Sequence, residues 1–459
     1  MASGEGVHTR ALARYIAGNH DADFPSDLVH RMKLLTLDTI GCGLLTTDLP
    51  WTVTLRETLQ ATEAPGPSLL WGTEGRLSPA LAAMVNGTAV HGFELDDVGA
   101  RGHFGAVTTT VALALAEAGA EVSGPELIGA SITGIEVATH IARCVGQVPH
   151  VECGFHGPGL FGAFAAGAAA AYALRLDEQQ CVYTLANVAQ FTGGLMATHH
   201  GGMGKRLLLG KAAHSGVLAA QLAAHGFTNV ENVFECGYGS FPSAFSGGRD
   251  TFDLDKLDAG LGTEYLAYGV NFKMWACRVP IHPILEAVKS LQGQGTIDPD
   301  RIEHVKVSLP TGSFRAVGFP YVPTSIASAQ LNAQYCLAIM LLEGDVFIDQ
   351  FTEEKIRAPR VLDLIKRIEI AQDENLDSGS DGGFARQTTV TITLSDGSEL
   401  RADGAVRTNV TQDDVVAKFR KTSKAKLSPS AQDRVIEMSL GLDSLGKATE
   451  ILPSLTISQ

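Results

Sequence analysis

The 459-residue sequence carries 35 basic against 50 acidic side chains, a formal net charge of −15, and is 45% apolar but only 19% charged. A chain of this size and hydrophobicity buries a large core, which excludes disordered and coiled-coil proteins and favours two globular domains. Its acidic balance argues against a nucleic-acid partner, because a phosphate backbone demands a basic face.

Met1–Gly18 mixes charged residues into a short amphipathic pattern with no continuous apolar run, so no secretory signal is expected. Up to about residue 268 the pattern is helix after helix. Ser78-Pro79 reads as an N-cap with Pro at the first helical position, and Ser123-x-x-Glu126 and Asp177-x-x-Gln180 read as capping boxes. Helices are predicted over 106–120, 158–173 and 205–224, all rich in Ala and Gly, whose small side chains require close packing near the middle of a bundle. The stretch 154–174 is uncharged but built from Ala and Gly and interrupted by His156 and Pro158, so it reads as a buried helix and no membrane span is expected.

From about Gly269 the texture becomes α+β. β-branched runs at 302–309 and 388–394 read as strands, the second followed by the hairpin dipeptide Asp396-Gly397, and helices are predicted over 328–342 and 360–368. After Arg407 the helical pattern returns, with Thr411 and Ser428-Pro429 as starts. The expected organisation is an all-helical large domain of residues 1–268 rejoined by 408–459, with 269–407 inserted as an α+β lid. The seven cysteines are odd in number, scattered and never C-x-x-C, which points to reduced thiols in a cytoplasmic protein rather than a disulfide, zinc or cluster scaffold.

Several motifs bear on chemistry. Gly157-Pro-Gly-Leu-Phe-Gly162 matches a dinucleotide fingerprint, but no apolar strand precedes it and Asp177 serves better as a helix cap, so close helix packing explains it. Gly201-Gly-Met-Gly-Lys205 is not a Walker A loop, since Arg206 stands where Ser or Thr belongs, yet it delivers a lysine on a turn able to nest an anion. His91, Glu94, Asp96, Asp97 and His103 concentrate three carboxylates and two imidazoles within thirteen residues. Without H-E-x-x-H or a second ligand pair, acid–base or substrate-orienting work is the better functional reading than a metal site, against the plain alternative of solvated acids at a helix end. His156, His199, His200, His214 and His282 complete the histidines of interest, and G-x-S-x-G is absent.

Taken together, Trp71-Gly72, Ser78-Pro79-Ala80, Asn86-Gly87, His91 and the Glu94-x-Asp96-Asp97 box resemble the MmgE/PrpD family. Gly154-Phe155-His156, Lys205 with Gly210, Phe272-Lys273 before His282-Pro283, and Gln334-Tyr335 follow in the family's order over nearly the whole chain. The resemblance implies a mainly α two-domain fold with an α+β insertion, a homodimer, a small polycarboxylate substrate and no metal or organic cofactor. It carries the family's pocket residues onto Glu94, His103, His156, Lys205, His282 and Tyr335. Members include 2-methylcitrate dehydratase, cis-aconitate decarboxylase and iminodisuccinate epimerase. Glu94 stands where the decarboxylase has Asp and Val98 where it has Thr, the loop from Asp97 to His103 is about a residue shorter, and His199-His200-Gly201-Gly202 departs from the usual pattern. These departures turn the expectation to iminodisuccinate epimerisation, with a dehydratase or decarboxylase as the alternative and a non-catalytic polycarboxylate binder as a third class.

Epimerisation next to a carboxylate needs opposed acid–base groups and a cation for the enediolate. Lys205 and His156 are the expected pair. Lys273, Arg278 and Arg315, with Asp97, are the expected substrate-orienting residues, because a net-negative protein must bind a polyanion on a local basic island.

Overall fold

Helix-start chemistry orders the first domain in the computed structural model, which describes residues 6–200, 202–377 and 387–456. Its main elements are α1 (Val7–Gly18), α2 (Ser26–Leu45), α3 (Pro79–Val90), α4 (Gly105–Glu117), α5 (Gly124–Val145), α6 (Gly157–Ala173), α7 (Glu178–Phe191) and α8 (Gly204–Ala224). Ser123 and Glu126 exchange hydrogen bonds to open α5, and Asp177 and Gln180 do the same for α7, satisfying N–H groups that a helix start leaves unpaired. At α3, Pro79 takes the first turn, while the Ser78 hydroxyl makes no cap bond.

Apart from Pro158, every residue of α6 is buried, so this Ala/Gly helix has neighbours on all sides: α4, α5, α7 and α8. Among the described residues only α8 is long and apolar enough to cross a membrane, and here it is packed against α3, α6 and α7. Its crossing with α3 is unusually close. A β-carbon on Gly210 would overlap the Thr88 hydroxyl and the Met84 carbonyl, and one on Gly87 would sit 3.2 Å from the Gly210 α-carbon. Gly210→Ala is therefore expected to destabilise the protein by about 2–3 kcal/mol through overpacking. Gly293→Ala, exposed near the end of a helix with open space around it, should be neutral or gain up to about 1 kcal/mol. Urea denaturation of the two variants checks the contrast, and equal midpoints would contradict the close crossing.

The second domain holds α9 (His282–Gln294), β1 (Ile302–Leu309), α10 (Thr311–Val317), α11 (Ala333–Glu343), β2 (Ile368–Gln372), β3 (Gln387–Leu394) and β4 (Glu399–Ala405). The sheet order is β2-β1-β3-β4. Val305 pairs in parallel with Ile368 and antiparallel with Ile392, and Val390 pairs antiparallel with Ala402. Val390 and Ile392 are fully buried, as alternation predicts, and α9 packs on β3 and β4. The hairpin between β3 and β4 turns at Asp396-Gly397, with Gly397 at φ 81°.

Two predicted helices differ from the structure. The one over 328–342 is two helices, because the Asn332 side chain accepts the Tyr335 N–H (3.0 Å) and starts α11 afresh. The one over 360–368 stops at Ile365, and Ile368 opens β2, where pairing with β1 overrides local helix preference. Beyond the sheet, α12 (Gln412–Ser423) opens with a Thr411–Asp414 capping box and α13 (Pro429–Leu440) with a Ser428 cap, and both pack on α2. The molecule is thus mostly helical, with two domains, the second built around a small four-stranded sheet.

Candidate active site

α3 runs out at Val90 into one tight turn, His91–Phe93, after which Glu94 takes a left-handed backbone conformation (φ 55°). A non-glycine residue there is strained, and the strain turns the Glu94 carboxylate toward the start of α8. Ala100 (φ 45°) and Arg101 (φ 70°) repeat the conformation in the following loop. That loop is clamped to the second domain's leading segment by paired backbone bonds between Val98 and Asn271 (2.8 and 2.7 Å). Gly99 is needed at this clamp, since it has φ 124° and any β-carbon would strike the Gly269 carbonyl.

The Glu94 carboxylate receives Lys205 directly, Arg206 at 3.2 Å and Lys273 at 3.5 Å. Burial pushes this carboxyl up, but Lys205, Lys273 and Arg206 overcome it and hold Glu94 ionised well below the usual range. Burial also lowers Lys205 to about 8; Glu94 opposes that shift while Arg206 and Lys273 reinforce it. Asp96 accepts from His91 Nδ1 (2.7 Å) and lies 3.4 Å from both His103 Nδ1 and the Lys273 ammonium. These three residues keep Asp96 charged against the cost of its burial.

The imidazoles around these charges are neutral. Burial lowers His91, His103 and His156, with Lys205 adding to the effect on each, and His103 falls to about 3. Their hydrogen bonds fix distinct tautomers. His91 and His103 direct Nδ1 to the Asp96 carboxylate and the Asp97 carbonyl (2.6 Å), which leaves their Nε2 lone pairs out of these bonds. His156 is reversed. Its Nδ1 accepts the Gly159 N–H (3.1 Å) and caps α6, so its proton is on Nε2. The ring centroids of His91 lie 4.9 Å from His103 and 6.2 Å from His156, and His156 lies 5.2 Å from His199.

Gln330, fully buried in the second domain, joins the parts. Its side chain accepts from Arg206 (2.6 Å) and donates to the carbonyls of Phe93 (3.0 Å) and Ala276 (3.1 Å), while its backbone carbonyl accepts the Arg278 N–H (3.1 Å). One amide thus ties the acidic box, α8 and the Lys273–Arg278 segment together.

Of the residues expected from sequence, the structure brings Glu94, His103, His156, Lys205 and Lys273 into one cluster. Arg278 stands at its edge, within electrostatic reach of Glu94 and His199, with one guanidinium donor on the Ala316 carbonyl. His282 turns Nε2 to the Cys277 carbonyl (3.3 Å). Three expected residues have other engagements. Asp97 uses both carboxylate oxygens on the N–H groups of Phe104 (2.7 Å) and Gly105 (3.0 Å) to cap α4, and its buried carboxyl is pushed to about 7 by burial and Asp96. Tyr335 gives its hydroxyl to the Gln350 carbonyl (2.5 Å) and stacks among Tyr321 and Phe351. Arg315 is exposed on α10. Sequence reasoning missed the His91–Asp96 pair as a unit, and also Arg206 and Gln330, and it named His199 among the histidines of interest without placing it in the site. Arg206 and His199 could have been found by their nearness to Lys205 in the chain, whereas Gln330, distant from both motifs, gave no such signal.

His91, Asp96 and His103 are also the one group of three among the described residues whose ligand atoms approach one another within 4.8 Å. They do not fit a cation well, because the Lys273 ammonium already neutralises Asp96 and the two Nδ1 atoms are committed to hydrogen bonds.

Fold and cluster together define a two-domain, mostly helical protein whose buried acid–base centre is assembled from both domains. The MmgE/PrpD N-terminal domain matches residues 10–253 and the MmgE/PrpD C-terminal domain matches residues 275–444; the chain belongs to the MmgE/PrpD family. It is 29% identical to the cis-aconitate decarboxylase of Aspergillus terreus over 457 residues, covering 95% of this chain and 92% of that one. It is 27% identical to the cis-aconitate decarboxylase of Homo sapiens, at 95% and 92% coverage, and 26% identical to that of Mus musculus, at 95% and 91%. The chain is therefore an enzyme. The expectation of an iminodisuccinate epimerase is overturned, because the relatives that match end to end are named as decarboxylases, which are lyases and not isomerases.

Proposed function

We propose that this enzyme is a lyase that releases carbon dioxide from a small unsaturated polycarboxylate of the cis-aconitate class. The carrying observation is the buried set of Lys205, Arg206 and Lys273, with half-buried Arg278 at its edge, around two charged carboxylates, Glu94 and Asp96, among neutral imidazoles. Such a set attracts a polyanion and surrounds its departing carboxylate with little water. Relatives named for this reaction support the reading.

In this reaction the bond from the saturated carbon to its carboxylate breaks, and its electron pair becomes a new carbon–carbon double bond. The old double bond's electrons move to the far alkene carbon, whose own carboxylate shares the charge as an enediolate. A proton then arrives at that carbon, so a trianion and one proton give a dianion and carbon dioxide. Lys205, still largely protonated at pH 7, is placed to stabilise the enediolate. His156 carries a free N–H that can hydrogen-bond the enediolate oxygens. A neutral imidazole N–H is too weak an acid to protonate carbon, so the proton comes from the Lys205 ammonium, which is left as the neutral amine. Proton transfer and charge stabilisation are the whole demand of the step, and these side chains meet it. Glu94, longer than an Asp, reaches Lys205 and Arg206 at once.

Incubation with cis-aconitate in heavy water, followed by NMR, tests the reading. The expected product has a terminal methylene alkene, one deuteron on the neighbouring saturated carbon and one equivalent of carbon dioxide. Folded protein that releases no carbon dioxide from cis-aconitate or its chain-length homologues would sink the proposal.

A further inference from the structure

His199 lies in the short turn Met196–His200 that precedes α8 and is outside every hydrogen-bonding chain described above. Both of its ring nitrogens are buried and, among the described residues, have no hydrogen-bond partner. A neutral imidazole always presents one donor and one acceptor, and leaving both unmatched away from water costs free energy. The ring is not a packing accident of the core. It lies 5.2 Å from His156 and within electrostatic reach of Lys205, Glu94 and Arg278, so its unmatched atoms lie beside the same cluster.

Charge in that pocket is unevenly committed. Lys205, Arg206 and Lys273 are paired with Glu94 or Asp96, whereas Arg278 spends one donor on a carbonyl and stands on the His199 side. A carboxylate placed there would take a hydrogen bond from His199 and charge from Arg278. We propose that His199 is a further substrate-binding residue, one that holds a third carboxylate and makes the site prefer tricarboxylates to dicarboxylates. The inference rests on the polycarboxylate reading above. A site built to hydrogen-bond a group rejects an analogue lacking it, because the buried donor is then left unpaired.

Calorimetric binding of two unreactive probes, tricarballylate and glutarate, separates the possibilities, since they differ by the central carboxyl alone. Wild-type protein should bind tricarballylate more tightly by about 10-fold or more. His199→Ala should weaken tricarballylate by about that factor and change glutarate by less than about 3-fold, with His199→Gln, which keeps a donor, falling between. Equal losses for both probes, or discrimination that survives His199→Ala in a variant with unchanged thermal midpoint, would overturn the assignment of His199 alone. Wild-type protein that binds neither probe would overturn the polycarboxylate reading, and this inference with it.

Discussion

Lys205→Met is expected to lower kcat/KM for carbon dioxide release by about three orders of magnitude, with little change in thermal midpoint. The stability half follows from the cluster: Glu94 keeps Arg206 and Lys273 when Lys205 is removed, so no carboxylate is stranded. The activity half follows from the loss of the cation that faces the enediolate. A pH profile sharpens the test. Lys205 at about 8 sets an alkaline limb there in wild-type kcat/KM, since the lysine acts as a cation. Glu94 is the neighbour that raises Lys205, whereas burial, Arg206 and Lys273 lower it. Glu94→Gln removes the raising influence, so the limb should move down by about one pH unit or more. A profile that stays in place in Glu94→Gln, or a Lys205→Met enzyme that keeps its rate, would contradict the role given to this pair.

What the sequence made legible was local. Capping boxes at Ser123 and Asp177 span three residues, and the β1 and β3 runs alternate over a few, so their boundaries follow from neighbours in the chain. Lys205 and the acidic box were legible as chemistry because unusual side chains crowd a short span. The remainder of the site depends on pairings between distant segments, which spacing does not encode. Arg206 meets Gln330 across 124 positions and Lys273 meets Asp96 across 177. Tyr335 shows the converse: motif order placed it in the pocket, but side-chain direction sends its hydroxyl to Gln350. The reaction itself was misread for a chemical reason. A cationic pocket beside neutral bases suits both proton exchange next to a carboxylate and loss of that carboxylate, so Glu94 and Val98 as departures do not choose between them.

Breaking the buried pair between Asp38 on α2 and Lys418 on α12 should give the largest stability loss of any single change on the polar framework. The two groups are 2.6 Å apart with side chains 1% and 2% exposed, and Lys418 also donates to the Leu95 carbonyl (2.6 Å), between Glu94 and Asp96. Helix α12 thus braces the acidic box. Removing one partner strands a buried charge, so Asp38→Leu and Lys418→Met should each cost about 3–5 kcal/mol, while the double variant should recover much of it. The cost of Lys418→Met should also depend on pH. Burial raises the Asp38 carboxyl even with Lys418 present, and without the lysine it rises further. An acid raised in the folded state binds protons there that the unfolded chain has released, so stability is greatest at low pH and falls as pH climbs through the folded value. Denaturation at pH 6 and pH 8 should therefore show a larger deficit for Lys418→Met at pH 8. The double variant, which has no Asp38 to titrate, should lack that difference; a deficit independent of pH would mean that Asp38 is not the group left exposed to the cost.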